Sequence, residues 1–345
     1  REAHERRNEG TERLSLAAAR ANRLKIDWSA FEPVRPRETA PRVFADYDLA
    51  ELRTRIDWKP FFQAWELSGA FPAILDDPVV GEAARSLHRD ALDMLERMIA
   101  EKWTRPRAVV AFFPANAEGD DIVLFADEAR AQRRAVVHSL RQQRKPSPGR
   151  ANLALADFVA PIASGKPDWL GAFIVTAGPG IAAKALTFER ANDDYSAILV
   201  KALGDRLAEA FAERMHERVR REFWSYAPAE RFSNKDLIGE HYRGIRPAPG
   251  YPACPDHTEK HTLFKLLEAE GNAGVTLTES CAMTPASSVS GWYFAHPDSA
   301  YFGVGRIERD QVEDYARRKG MALEDVERWL APNLNYTPVK RAANG

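Results

Sequence analysis

Seven apolar residues, Leu199, Leu203, Leu207, Phe211, Met215, Val219 and Phe223, recur at every fourth position without a break. Such spacing lays one continuous stripe along a helix, and predicts a helix over 195–224. At about 1.5 Å per residue that rod spans about 45 Å. It can cross the whole of a domain-sized module, and its stripe needs an apolar surface of similar length to bury it.

The remaining patterns supply that surface. A second long helix is expected over 80–103, with Ala84, Leu87, Leu92, Leu95 and Ile99 on its apolar side. A short helix over 49–55 precedes the Ile56-Asp57-Trp58-Lys59-Pro60-Phe61-Phe62 run, and three more helices are expected over 261–270, 308–319 and 323–330. Strand-like runs occupy 108–113, 122–126, 134–140 and 171–176. Gly119-Asp120-Asp121 marks a hairpin turn between the first two. A second strand pair is expected from 289–295 and 301–307, joined through His296-Pro297-Asp298-Ser299. Runs of strands alternate with runs of helices without a βαβ rhythm. The expectation is therefore an α+β fold, a single domain with a twisted, mainly antiparallel sheet and long packed helices.

Composition narrows the function classes. The chain has 345 residues, 45% hydrophobic and 29% charged, as in an ordinary water-soluble globule. With 49 basic and 50 acidic residues the net charge is -1, which offers no overall footprint for nucleic acid. The basic run at Arg218, Arg220 and Arg221 is flanked by Glu217 and Glu222 and reads as a solvated helix face. No stretch reaches the roughly 20 apolar residues of a membrane helix, since 170–186 is broken by Gly178, Pro179 and Gly180. Two cysteines, Cys254 and Cys281, make no disulfide framework and fit a reducing, cytoplasmic setting. The charged start lacks Met and any apolar signal core. The expected organisation is a fragment of a larger protein: 1–24 as linker from a preceding domain, 25–338 as the domain, 339–345 as tail.

Three motifs invite chemistry and are better read as structure. Gly178-Pro179-Gly180 follows a strand and opens a helix, but Pro179 removes a backbone N–H that a pyrophosphate would need. Cys254, His257 and His261 have zinc-like spacing but no evident fourth ligand. Ser287, Ser288 and Ser290 lack a nucleophile elbow. No catalytic residue and no metal are expected.

The turn Arg246-Pro247-Ala248-Pro249-Gly250-Tyr251 differs in kind. Its prolines stiffen the backbone and keep their carbonyls as acceptors. Gly250 permits close approach of a ligand, Arg246 offers a planar fork for a carboxylate, and Tyr251 adds a flat face with a polar tip. By residue chemistry the turn is open between a rigid bend and a ligand cradle.

Longer words settle which family it resembles. The run 244–260 reads Gly-Ile-Arg-Pro-Ala-Pro-Gly-Tyr-Pro-Ala-Cys-Pro-Asp-His-Thr-Glu-Lys. With 56–62, 155–161, 200–210, 277–280, 287–296, 310–320 and 327–334, it closely resembles the C-terminal reactivation domain of cobalamin-dependent methionine synthase. The likeness runs from about residue 25 to 338.

The resemblance implies a methyltransferase module of methionine biosynthesis that binds S-adenosylmethionine in an elongated groove. Arg246 would take the methionine carboxylate, and Ala248 and Gly250 would offer backbone to the adenine end. Tyr251 would line the groove near the cobalamin face. Asp57 and Glu209 would be acidic partners, and Tyr301 and Phe302 would close the ribose and adenine side. Helical pattern alone would leave Glu209 solvated, nearly opposite Leu207 and Phe211. Phe302 stands where many relatives carry tyrosine, keeping the ring without the hydroxyl. Cobalamin would be held by a separate domain, since the chain lacks an Asp-x-His-x-x-Gly motif. Implied partners are that cobalamin-binding domain and a flavodoxin-type electron donor, with no nucleic acid and no membrane. A docking module with incidental nucleotide binding is the alternative, and a free-standing methyltransferase a third reading.

Overall fold

In the computed structural model, which describes residues 12–339, one strand organises the rest. β2 (Arg107–Glu118) carries two strands on one edge: β1 (Arg42–Phe44) along its first half and β3 (Asp121–Phe125) along its second. β5 (Asp168–Thr176) runs along its other edge. β4 (Arg133–His138) pairs with β3 and β8 (Ser288–Tyr293) with β5, so the order is β4-β3-β2-β5-β8, all antiparallel. β6 (Thr276–Leu277) and β7 (Met283–Thr284) form a small separate ladder. Glu118 pairs with Asp121 across the expected hairpin turn.

β2 and β5 are buried on both faces, which explains their unbroken apolar runs. One face, with Ala108, Val110, Phe112, Phe173 and Val175, packs on α4 (Gly81–Ala100) and α6 (Asp194–Arg218). The opposite face, with Val109, Ala111, Leu170 and Ile174, packs on α8 (Glu259–Leu267) and α9 (Ala269–Ala273). The shorter helices α2 (Leu49–Arg53), α3 (Lys59–Ala64), α5 (Gly180–Arg190) and α7 (Asn234–Ile238) complete the first layer and its rim. α10 (Arg309–Lys319) and α11 (Leu323–Trp329) build a third, smaller core around Val312, Tyr315 and Leu330. The result is the α+β fold expected, as a single unit.

The fourfold stripe is buried throughout α6: Leu199, Leu203, Leu207, Phe211 and Met215 are each at most 1% exposed. At roughly 1.5–3 kcal/mol per side chain, these five contribute on the order of 10 kcal/mol of transfer free energy. The side chain of Asp193 caps the helix by accepting from Ser196 N–H.

Some expectations need correction. The 195–224 helix leaves α geometry at Arg218 and continues as a π turn, Val219–Phe223. Val219 C=O accepts from both Trp224 and Ser225 N–H, and the widened turn leaves Phe223 and Trp224 both buried. The 261–270 helix is divided at Glu268, whose φ is 48°. No strand forms over 301–307. β8 pairs with β5 on one edge, and its other edge receives Ile245 and Pro247, which bond to Phe294 and Trp292. The expected partner therefore has no edge to join.

The linker expected over 1–24 is, where described, docked to the body. α1 (Leu16–Ala21) buries Leu16 and Ala19, and Leu16 N–H donates to Asp310 at 2.6 Å. Arg20 bridges Asp120 and Asp314 at 2.7 and 2.6 Å, and Asp120 is bound in turn by the buried Arg141. Residues 1–11, and 340–345 of the expected tail, lie outside the described residues.

The Gly178–Gly180 turn is a close backbone crossing, since a Cβ at Gly180 would sit 1.9 Å from Trp103 O. Gly180→Ala should destabilise by about 3 kcal/mol or more, at the upper end of overpacking costs. Gly271→Ala, in α9 with open space around it, should gain about 0.4–1 kcal/mol. Paired thermal melts check both.

Burial pushes the Asp168 carboxyl up to about 7, against donation from Ala160 and Trp169 N–H and the charge of Arg130. A raised carboxyl favours the folded state while protonated, so its contribution fades as pH climbs through 7. Melting temperature should fall between pH 5 and pH 8 by more in the wild type than in Asp168→Asn. Equal falls would remove Asp168 as the cause.

Candidate ligand groove

The turn at 246–251 is held by hydrogen bonds on both sides. Pro247 C=O accepts from Trp292 N–H at 2.9 Å, and Gly250 N–H donates to Cys254 C=O at 2.7 Å. Pro247 can come so close to β8 because residue 291 is glycine; a Cβ there would lie 2.7 Å from Pro247 O. Gly250 has φ 94°, and a Cβ would meet the His257 ring at 2.3 Å. Its small size thus serves the His257 contact, and it does not line the groove described next.

Two adjoining cavities flank the turn. One, of about 460 Å³, is lined by Pro247, Ala248, Tyr251, Val289, Tyr301 and Phe302 among others. The second, of about 310 Å³, is lined by Arg55, Asp57, Arg206, Glu213, Tyr242 and neighbours. Both include Glu209, Glu240 and Arg246, so they are two halves of one elongated groove. Seven of the eight residues expected in the site, all but Gly250, line it. The larger half is mostly apolar and aromatic; the smaller half carries the charges.

Arg246 sits at the junction. Its Nη2 donates to Glu213 Oε2 at 2.8 Å, and its backbone N–H donates to the Tyr301 hydroxyl at 3.0 Å. Nε is buried without a partner. Burial opposes the guanidinium charge, but Glu213, Tyr242, Tyr301 and Glu209 outweigh it and hold the group above its ordinary value. The cation is therefore permanent, with one buried N–H left for an acceptor.

Acidic groups surround the same junction. Glu209 projects from α6 and is half-buried, not solvated as its helical position implied. α6 runs beneath the groove, so its flank opposite the stripe is covered too. Asp57 precedes α3, and its Oδ1 accepts from Lys59 N–H at 3.0 Å, which orients the carboxylate. Burial raises Glu240, partly offset by Arg246. Arrayed around one cation, these carboxylates suit a ligand with separated anionic and cationic groups. Phe302 lies 6.2 Å from Phe158, edge to face, anchoring the apolar end.

Comparison with known proteins then decides the family. Residues 48–320 match the family model for the vitamin B12 dependent methionine synthase activation domain. The chain belongs to that family. A solved crystal structure of the MetH reactivation domain bound to AdoHcy is similar to it, with 56% identity and a TM-score of 0.93. The match covers 95% of this chain and 100% of that one. The groove is thus a feature of a methionine synthase reactivation domain.

Sequence reasoning missed Glu213, Glu240 and Tyr242. Glu213 had a signal, because it follows Glu209 by four residues and shares its helix face. Glu240 and Tyr242 lie in an irregular segment after α7, where no periodicity marks a face. Most side chains of the other tempting motifs have local partners, although Ser290 Oγ is buried without one. Ser287 Oγ donates to Asp205 at 2.8 Å, His257 Nδ1 lies 3.1 Å from Lys260 Nζ, and His261 lies 3.5 Å from Cys281 Sγ. Among the described residues no group of three or more His, Cys, Asp or Glu is placed to hold a metal, and no helix is long and apolar enough to cross a membrane.

Glu213→Ala should cost roughly 3 kcal/mol, the low end for a broken buried pair, since 19% of the Arg246 side chain stays exposed. Denaturant unfolding measures it. A loss below about 0.5 kcal/mol would place the pair with ordinary surface ion pairs.

Proposed function

We propose that this reactivation domain binds S-adenosylmethionine along the groove and presents its methyl group for reductive methylation of cob(II)alamin, returning methionine synthase to activity. The observation that carries this reading is the partly buried Arg246 cation, with its buried, unpartnered Nε, in one groove with Asp57, Glu209 and Glu240. That arrangement complements the ligand's carboxylate, ammonium and sulfonium. AdoHcy in the similar solved domain supports the same ligand class here.

Each residue then has a physical task. Arg246 holds the carboxylate, and Asp57 stands nearest the ammonium. Glu209 and Glu240 stabilise the sulfonium by charge. Ala248 offers backbone to the adenine end, Tyr301 and Phe302 enclose the nucleoside, and the exposed Tyr251 stands at the mouth. The sulfonium supplies the methyl group as a cation equivalent, and one electron from a flavodoxin-type donor balances the charge at cobalt. Cobalamin itself belongs to a separate domain, so the work of this chain is alignment and exclusion of water. A cytoplasmic setting accords with that role.

Calorimetry with S-adenosylmethionine and AdoHcy tests the reading. Arg246→Ala should weaken both at least about tenfold, the loss expected for a hydrogen bond to a charged group. No binding by the wild type, or unchanged affinity in the variant, would sink it.

A further inference from the structure

Around Arg246 gather buried polar atoms that have no hydrogen-bond partner, three of them on residues that line the groove. The atoms are Arg246 Nε, Glu213 Oε1, the Tyr242 and Tyr293 hydroxyls, His216 Nδ1 and both terminal nitrogens of Arg220. Buried polar atoms are rarely left unpaired, and a cluster of them marks a place where water or a ligand belongs. Tyr242 is the uncharged member that also lines the groove, beside Arg246, Asp57 and Glu213.

Tyr242 is 8% exposed, and its ring is fixed on two sides. The Arg220 guanidinium stands 4.2 Å over the ring, and His216 packs against it edge to face at 4.8 Å. A ring so confined holds its hydroxyl in one place. Burial raises the phenol far above its ordinary value, and Glu213 adds to that against Arg246. It therefore stays a hydrogen-bond donor throughout the working pH range. The neighbouring Tyr301 phenol also raises it, and is the acceptor that a ligand carboxylate would have to displace, which the charge of the carboxylate favours. A carboxylate has about four lone-pair sites, enough to accept from Arg246 Nε and from the phenol together.

We propose that Tyr242 is a specificity-determining residue, whose hydroxyl donates to the carboxylate of the ligand's amino-acid end and selects nucleosides that carry it. The proposal rests on the groove being the S-adenosyl site. Its physical basis is asymmetry: a buried donor left unpaired by a ligand lacking the carboxylate penalises that ligand, whereas a matched one is favoured.

The test is calorimetry with AdoHcy and 5′-methylthioadenosine on the wild type and Tyr242→Phe. Both probes are neutral thioethers, and only AdoHcy carries the amino acid. Tyr242→Phe should weaken AdoHcy about tenfold and change 5′-methylthioadenosine less than about twofold, so discrimination between them collapses. Equal affinity of variant and wild type for AdoHcy, with a raised melting temperature from loss of an idle buried hydroxyl, would overturn the proposal. So would equal losses for both probes, which would mark a merely structural ring. Failure of the wild type to bind AdoHcy would instead overturn the groove assignment on which the proposal stands.

Discussion

The groove depends on α6 being clamped between the sheet and a second layer of helices. Its stripe of Leu199, Leu203, Leu207, Phe211 and Met215 is sealed against the face formed by β2, β5 and β8. Once that burial sets the helix's rotation, Glu209 and Glu213 have one direction left to point. Glu213 then meets Arg246 at 2.8 Å and Arg220 at 4.0 Å. A carboxylate taken from water into such a place needs partners. It thereby orders the two arginines around it, and a hydrophobic pattern is converted into an electrostatic one.

The second constraint is the edge of β8. An exposed strand edge invites unwanted pairing, and here the 244–247 segment covers it. The same segment carries Arg246, so protecting the edge and positioning the cation are one structural act. Tyr301 reinforces it by accepting the Arg246 N–H, and Val304 N–H donates to Pro252 C=O at 2.8 Å. This is why 301–307 forms no strand: its hydrogen bonds go to Arg246 and Pro252 at one end and to Asn333 and Asn335 at the other.

Much of this was legible in the chain. Apolar runs in β2 and β5, the hairpin at Gly119-Asp120 and the fourfold stripe each follow from local periodicity. Arg246, Ala248 and Tyr251 were identifiable as chemistry-bearing residues on a rigid turn, and long family-like words fixed their neighbours. Phe302, which the resemblance put on the ribose and adenine side, lines the larger, mostly apolar half of the groove. Less legible was whatever depends on two segments meeting. Gly250 reads as a place for ligand approach, and only the fold shows that its missing Cβ makes room for the His257 ring. Tyr242 and Glu240 carried no local mark at all.

By itself the sequence determined the α+β class, the long buried helix, the family and seven of the residues that line the groove, because periodicity and local word order are properties of neighbours along the chain. Only the tertiary structure decided which strand edge the turn would cover, that α1 docks through Arg20, and which buried atoms remain without partners. Those outcomes turn on distances between residues far apart in the chain. A carboxylate such as Glu213 becomes a site residue when the fold removes water from around it.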